Sequence, residues 1–341
     1  MTVTVRPIDL LSDDVLAQQW IDVQARSGAA DWGAEHSAWT LAEVQGRRRG
    51  TGYAFEDFVA IDGEQVIGMA AIAMPLRDNE HLGLLMLHVD PEHRRSGVGT
   101  ALAESALNAL REAGRTTVQA ETEIPSSAVE SGGPKFAQRF GFTCVQKLLR
   151  SAMPLPGDRR RLEQLAAGDG IEDAAAFRLD WRIDEIPDDW LPSLALLEQR
   201  MSTDAPQGGM TVEEEAWTPE RVRENLDWAL EAGRRIVQAV AFEGEMMVGF
   251  TQIEVSQDTP GLGYQQDTLV LREARGNGLG LRLKALAALT VMDHLPQVTR
   301  VRTWNADDNK HMLAVNTDLG YGREGVLQVW ERGLDGWSGT A

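Results

Sequence analysis

Four glycines fall in register across the two halves of this chain. Gly63, Gly68 and Gly97 recur as Gly244, Gly249 and Gly278, each 181 positions later, and Gly141 recurs as Gly320, 179 later. Their neighbours repeat as well. Val59-Ala-Ile-Asp-Gly63-Glu-Gln-Val-Ile-Gly68 answers Val240-Ala-Phe-Glu-Gly244-Glu-Met-Met-Val-Gly249, and Phe140-Gly141-Phe142 answers Leu319-Gly320-Tyr321. Repeats this long describe a duplicated domain, not a short-repeat solenoid. A chain of 341 residues is long enough to give each copy its own core.

Periodicity places the same elements in both copies. In the first, 13–24 reads as a helix, and 58–61 with 65–74 as a hairpin. Residues 83–89 read as an apolar strand stopped by Pro91, which cannot donate to a ladder. A helix follows from about Gly97, with Val98, Leu102, Ala106 and Leu110 on one face. Strands are expected at 117–122 and 145–153, with a short helix at 136–139. In the second copy, helices are expected at 219–232, 278–294 and 309–317. Strands are expected at 235–242, 246–255, 267–271, 298–304 and 326–331. The expected boundaries are a first domain at 1–153, a polar linker at 154–173 and a second domain at 174–335, with 333–341 as a frayed tail. The fold class is α/β (α+β), two tandem domains with a central mixed sheet flanked by helices.

Bulk properties narrow the partners. The net charge of −19 opposes nucleic acid and anionic membrane surfaces. It serves solubility first, and it favours cationic amines. No apolar run approaches the roughly 20 residues that span a bilayer, and the start lacks the basic-then-apolar pattern of a signal peptide. The expected location is therefore the cytoplasm. The single cysteine, Cys144, excludes an internal disulfide and a multi-cysteine metal site. No metal is expected.

Each copy centres on a glycine loop that opens a helix, a backbone arrangement suited to phosphate. The loops read Arg94-Arg95-Ser96-Gly97-Val98-Gly99 and Arg275-Gly276-Asn277-Gly278-Leu279-Gly280. A dinucleotide fold would need Gly-x-Gly-x-x-Gly with an acid about 20 residues on. A nucleoside-triphosphate loop would need Gly-x4-Gly-Lys-Ser/Thr, which is absent. With the apolar strand before each loop, the helix after it and the Gly-aromatic corner beyond, the chain resembles the GNAT family, the GCN5-related N-acetyltransferases. The resemblance spans nearly the whole chain.

That resemblance implies acetyl-CoA as donor and direct transfer to an amine. It implies that Leu87, His88, Val89, Leu269, Val270 and Leu271 meet the pantetheine arm through backbone. It places the pyrophosphate on Arg94, Arg95, Ser96, Gly97, Val98, Gly99 and Thr100, and on Arg275, Gly276, Asn277, Gly278, Leu279 and Gly280. Asn309 is expected to touch the cofactor. The tyrosine that many relatives use as acid is replaced by Ala137 and Asn316, and the usual glutamate base by Gly83 and Tyr264. Asn316, Gln266, Thr268 and Asp267 are the candidate catalytic residues. By strand alternation Asp267 would face away from Gln266 and Thr268.

The second copy is the richer and is expected to hold the active site, while the first binds without turnover. The leading function is acetylation of a small-molecule amine. Two alternatives stand: a protein or peptide N-acetyltransferase, which an open, unlidded groove would favour, and a non-catalytic acyl-CoA-binding module. The acceptor and the oligomeric state are not legible.

Overall fold

The computed structural model describes residues 3–128 and 131–336. The chain forms two compact units. The first runs from Met1–Lys147 and is completed by Gly209–Val212 and by Val326–Ala341. The second comprises Leu148–Gly208 and Glu213–Gly325.

In the first unit the elements are β1 (Thr4–Ile8), α1 (Asp14–Trp32), α2 (Leu41–Arg49), β2 (Tyr53–Asp62), β3 (Gln65–Pro75), β4 (Leu82–Val89), α3 (Val98–Glu112), β5 (Thr117–Pro125) and α4 (Gly132–Arg139). The strand β6 (Thr143–Pro154) follows; its residues up to 147 belong to this unit and the rest to the second. In the second unit come α5 (Arg159–Ala167), β7 (Phe177–Ile183), α6 (Leu191–Asp204), α7 (Pro219–Glu231), β8 (Arg234–Glu243), β9 (Met246–Ser256), β10 (Leu262–Val270), α8 (Leu279–His294), β11 (Arg300–Ala306) and α9 (Lys310–Leu319). The last strand, β12 (Gly322–Gly333), lends 326–333 to the first unit.

Each sheet is antiparallel except for one central parallel pair, β4 with β5 and β10 with β11. Within the first unit the order is β1-β2-β3-β4-β5 followed by β12, and within the second it is β6-β11-β10-β9-β8-β7. Helices cover both faces of each sheet. In the first unit α3 and α4 bury Leu102, Leu107 and Phe140 on one face, and α1 and α2 bury Trp20 and Val44 on the other. In the second, α8 supplies Leu283 and Ala287 to one core, and α6 and α7 supply Leu194 and Leu226 to the other.

Several elements depart from expectation, each for a visible reason. Helix α1 continues well past 24 because Gln24 and Ser27 occupy its buried face, interrupting the apolar period. Residues 154–173 hold α5, capped by Asp158 and buried through Leu162. Strand β10 begins at Leu262 rather than 267, and a bulge between Gln265 and Thr268 breaks its alternation. The residues after 333 are not all loose: Leu334 is buried and its N–H donates to the Thr116 carbonyl at 2.8 Å. The rest of the expected tail, 337–341, lies outside the described residues.

The distant segments are tied tightly into the first unit. Glu331 accepts from Gln119 Nε2 at 2.9 Å, from Thr211 N at 3.1 Å and from Thr211 Oγ1 at 2.8 Å. Trp330 is buried and donates to Thr122 Oγ1 at 2.8 Å. A chain ending at residue 325 therefore exposes the flank of β5 and the Trp330 pocket. It is expected to lose the cooperative melting of the first unit, seen as loss of near-ultraviolet circular dichroism and rapid proteolysis within 3–147. Retention of a native-like melt for that unit would refute the assignment of 326–333 to its core.

Candidate functional site

The central parallel strands of both units part company before they end. Strand β4 pairs with β5 only from Leu82 opposite Thr117 to Leu85 opposite Ala120, though the strands run on to Val89 and Pro125. Strand β10 pairs with β11 only at Leu262, Gly263 and Tyr264, though they run on to Val270 and Ala306. Beyond those pairs, Leu87, His88 and Val89, and likewise Leu269 and Val270, keep their ladder partners on one side only: β3 or β9. Their other edges open into a wedge, where an extended molecule can pair as an added strand.

A glycine loop closes the narrow end of each wedge. Helices α1, α2, α5, α7 and α9 all start with a side chain capping an N–H: Asp13, Thr40, Asp158, Thr218 and Asn309. Helices α3 and α8 do not. Their N-caps are Gly97 at φ 93° and Gly278 at φ 64°, with no side-chain hydrogen bond. A left-handed glycine turns the chain so that successive N–H groups face outward. The first N–H groups of both helices are thus uncapped at the positive end of the helix dipole, the arrangement that binds phosphate.

The loop arginines do something else as well. Arg94 is bidentate to Asp31 at 2.8 and 3.0 Å, reaches Ser27 Oγ at 3.0 Å and donates through Nε to the Val89 carbonyl. Arg275 repeats the device, with Nη2 to Asp204 at 2.5 Å and Nε to the Val270 carbonyl at 3.0 Å. In each unit the arginine clips the end of the central strand to the end of the first long helix. Arg95 and Ser96 are exposed on the first loop. Asn277 is half-buried, and its Nδ2 donates to the Ala274 carbonyl at 3.1 Å. Asn309 is occupied as the α9 cap, its Oδ1 accepting from Met312 N at 3.1 Å. His88 is half-buried beside Ser27 at 3.3 Å, and burial lowers its imidazole to about 4, so it stays neutral at neutral pH.

The two wedges differ in chemistry. Strand β4 keeps an unbroken register with β3, whereas β10 carries its bulge at Gln266 and Asp267. The bulge interrupts the alternation there, and both side chains are solvent-exposed. Beneath them Thr251 Oγ1 bonds Thr268 Oγ1 at 2.6 Å, and Gln265 Nε2 donates to Thr251 Oγ1 at 2.9 Å and to the Gln252 carbonyl at 2.7 Å. Gln265 Oε1 is buried and makes no hydrogen bond among the described residues.

Although water reaches Asp267, the surrounding protein desolvates it. That desolvation, followed by repulsion from Glu215 and Glu254, lifts its carboxyl to about 6. Glu198 on α6 is raised well above the carboxylate range, first by burial and then by Asp267 and Glu215, with Arg221 opposing. Glu215 is held by Trp217 Nε1 at 3.0 Å and Arg221 Nη2 at 3.3 Å. Behind α8, Lys284 is buried and donates to Asn316 Oδ1 at 2.5 Å, while Asn316 Nδ2 donates to Asn305 Oδ1 at 2.6 Å. In the first unit Glu121 on β5 is raised by desolvation and then by Glu123.

Comparison with known proteins agrees with this architecture. The model of the Acetyltransferase (GNAT) family matches twice, over residues 20–142 and 197–321. The chain belongs to the GNAT family. It is a tandem-domain member and an N-acetyltransferase. A mycothiol acetyltransferase of Kocuria rhizophila is 26% identical over 95% of this chain and 97% of its own length. One of Rhodococcus erythropolis is 28% identical over 90% and 95%. A tandem GNAT protein from the clavulanic acid biosynthesis pathway superposes with a TM-score of 0.80 at 26% identity, covering 98% of this chain and 99% of the other.

Within the GNAT frame, sequence reasoning named the loops, the strand backbones, Asp267 and Asn316, and the acids at 213–215 as a place for a cationic amine. It did not name Glu198 or Lys284. Lys284 left a readable signal, a lone lysine flanked by Leu283, Ala285 and Leu286 in an apolar helix. Glu198 left none, because its partners come from other elements. Among the described residues, no group of three or more His, Cys, Asp or Glu could hold a metal ion. No helix among them is long and apolar enough to cross a membrane.

The loops can be probed one at a time. A Cβ at Gly278 would suffer both positive φ and a 2.5 Å approach to Ile171 Cδ1, whereas at Gly280 it meets nothing within 4 Å. Gly280→Val is expected to raise the Kd for CoA at one of two sites by more than about 10-fold with an unchanged Tm. Gly278→Val should lower the Tm as well. Calorimetric titration showing full CoA binding in Gly280→Val would remove the helix α8 loop as a phosphate site.

Proposed function

We propose that this chain transfers the acetyl group of acetyl-CoA to the amine of a small molecule, with the chemistry in the second unit. The observation that carries the proposal is the coupled carboxyl pair, Asp267 on the β10 bulge and Glu198 on α6, beside a wedge that ends in an uncapped helix. The wedge and loop suit acetyl-CoA: free strand edges for the amide-bearing arm, outward N–H groups for the pyrophosphate. Bound there, the thioester supplies an electrophilic carbonyl and a thiolate leaving group.

The residues then divide the work. Glu215 and Asp267 place negative charge where a cationic amine must dock, and Glu198 adds to it only once it ionises. A carboxyl near pKa 6 is charged at neutral pH yet still basic enough to take the ammonium proton as the amine attacks. The orphaned Gln265 Oε1 offers an acceptor to the amine or to a water beside it. The amine lone pair forms the C–N bond, the C–S bond breaks, and the thiolate leaves with the electron pair.

The acceptor side supports a small molecule over a protein. The segment between α6 and α7 lies down on α6 through Glu215 N to Ser202 Oγ at 3.2 Å, Gln207 Nε2 to the Ser202 carbonyl at 3.0 Å and Gln199 Nε2 to Glu214 at 2.9 Å, an ordered segment that favours a covered acceptor approach over an open groove. Relatives named mycothiol acetyltransferase, and a structural neighbour from the clavulanic acid biosynthesis pathway, point the same way. The raised carboxyls argue against a non-catalytic binding module, since perturbed titrations cluster where proton transfer occurs.

A thiol-release assay with acetyl-CoA should show turnover with small amines such as glucosamine or L-cysteinamide and less with an unblocked tetrapeptide. Gly99→Val should keep most of that rate and Gly280→Val should lose it; the reverse pattern would move the active site to the first unit. In the wild type, kcat/KM should rise with pH through about 6. Asp267→Asn should erase that limb and lower kcat by roughly 100-fold to 10,000-fold. It should also stabilise the fold above pH 6 and not below pH 4, because a carboxyl with a raised folded pKa opposes folding only once it ionises. An unchanged limb in Asp267→Asn would exclude Asp267 as the base.

A further inference from the structure

We infer that Lys284 is a positioning residue for acyl transfer: its ammonium holds and polarises the Asn316 amide, which then stabilises the departing CoA thiolate. The inference rests on the proposed placement of transfer in the second unit.

Lys284 sits in the first two turns of α8, the helix that begins at the Gly278 cap. Its side chain runs into the protein instead of out to solvent and is 2% exposed. The ammonium meets two groups: Asn316 Oδ1 at 2.5 Å and the face of Tyr321, 5.0 Å from the ring centroid. An ammonium donates and never accepts. The Asn316 carbonyl oxygen must therefore face Lys284, and its NH2 must face the other way. That NH2 gives one hydrogen to Asn305 Oδ1 at 2.6 Å. Asn305 lies on β11 beyond Arg302, the last residue paired with β10, so the Asn316 amide packs against the stretch of β11 that borders the wedge.

A cationic donor on the amide oxygen drains electron density from its nitrogen. The Nδ2 hydrogens become stronger donors, and hydrogen bonds in series reinforce one another in a medium of low dielectric. When the C–S bond breaks and the electron pair settles on sulfur, a second Nδ2 hydrogen can meet that charge. No proton needs to move, so the missing tyrosine is replaced by a fixed donor with a buried cation behind it. Burial pulls the ammonium down to about 7. A thiolate forming nearby favours the charged form again. Burial likewise raises the Tyr321 phenol well above its ordinary value, so the ring stays a neutral cation-π surface. A structural role alone does not account for this arrangement, because a buried lysine costs stability that a methionine of similar length would not.

The test needs only CoA. In a Gly99→Val background, which silences the first loop, the thiol of bound CoA is titrated by thiolate absorbance near 240 nm. With Lys284 in place, its apparent pKa is expected to fall about one unit below that of free CoA, a tenfold shift in ionisation. Lys284→Met and Asn316→Ala should each return it to the free value, and the double variant should shift it no further than either alone. The Tm of Lys284→Met should hold or rise. Should that variant fail to fold, Asn316→Asp keeps the Lys284 contact but removes the N–H donor, and should raise the thiol pKa above the free value. An unshifted thiol in the parent protein, a shift that survives Lys284→Met, or one that survives Asn316→Asp overturns the inference while leaving the second-unit site intact. Failure of the Gly99→Val protein to bind CoA at all, measured by calorimetry, overturns both.

Discussion

The candidate site in each copy rests on a parallel strand pair that stops pairing before its strands end. A parallel pair in the middle of a sheet is normally buried and continuous. Here the β4–β5 and β10–β11 pairs each close over three or four residues and then open. An unpaired backbone inside a protein is costly unless something satisfies it, so the wedge is a standing demand for a hydrogen-bonding partner. The adjacent glycine caps add a second demand, for an anion, because they present helix N–H groups without a side chain to occupy them. An elongated molecule with amides at one end and phosphate at the other answers both.

Holding a wedge open requires a frame that does not collapse. The paired arginines provide one: Arg94 to Asp31 and Val89, Arg275 to Asp204 and Val270. Each ties the last turn of a helix to the end of the strand that borders the wedge. The recurrence of the same clip in both copies marks it as part of the duplicated design. The copies then diverge where chemistry is concerned. One extra residue in β10 leaves Gln266 and Asp267 exposed at a bulge, and in that unit carboxyls from α6, the following segment and β10 repel one another. Duplication preserved the strand-and-loop frame, and the bulge in β10 is where the two copies differ.

The buried lysine illustrates the same economy. Lys284, Asn316 and Asn305 come from α8, α9 and β11, and none is unusual alone. Brought together they form a donor chain whose direction is dictated by the fact that lysine cannot accept.

The duplication, the positions of both loops, the helices behind them and the family itself were legible in the residues, because those features are local: a left-handed turn needs glycine, an amphipathic helix needs its period, and the spacing between them repeats. Strand backbones at 87–89 and 269–270 lie where the same register put them, while Leu271 falls just past the end of β10 with its N–H on the Val248 carbonyl. What only the tertiary structure decided is non-local. Residues 326–333 belong to the first unit and 148–154 to the second, since pairing partners are chosen by edge geometry and not by order along the chain. The length of α1 was hidden by Gln24 and Ser27, polar residues that turn inward only because they face other parts of the fold. The bulge left no mark beyond a polar run. The raised carboxyls of Asp267 and Glu198 could not be read from either residue, because a pKa shift belongs to the neighbours and the burial that folding assembles around a group, not to the group itself.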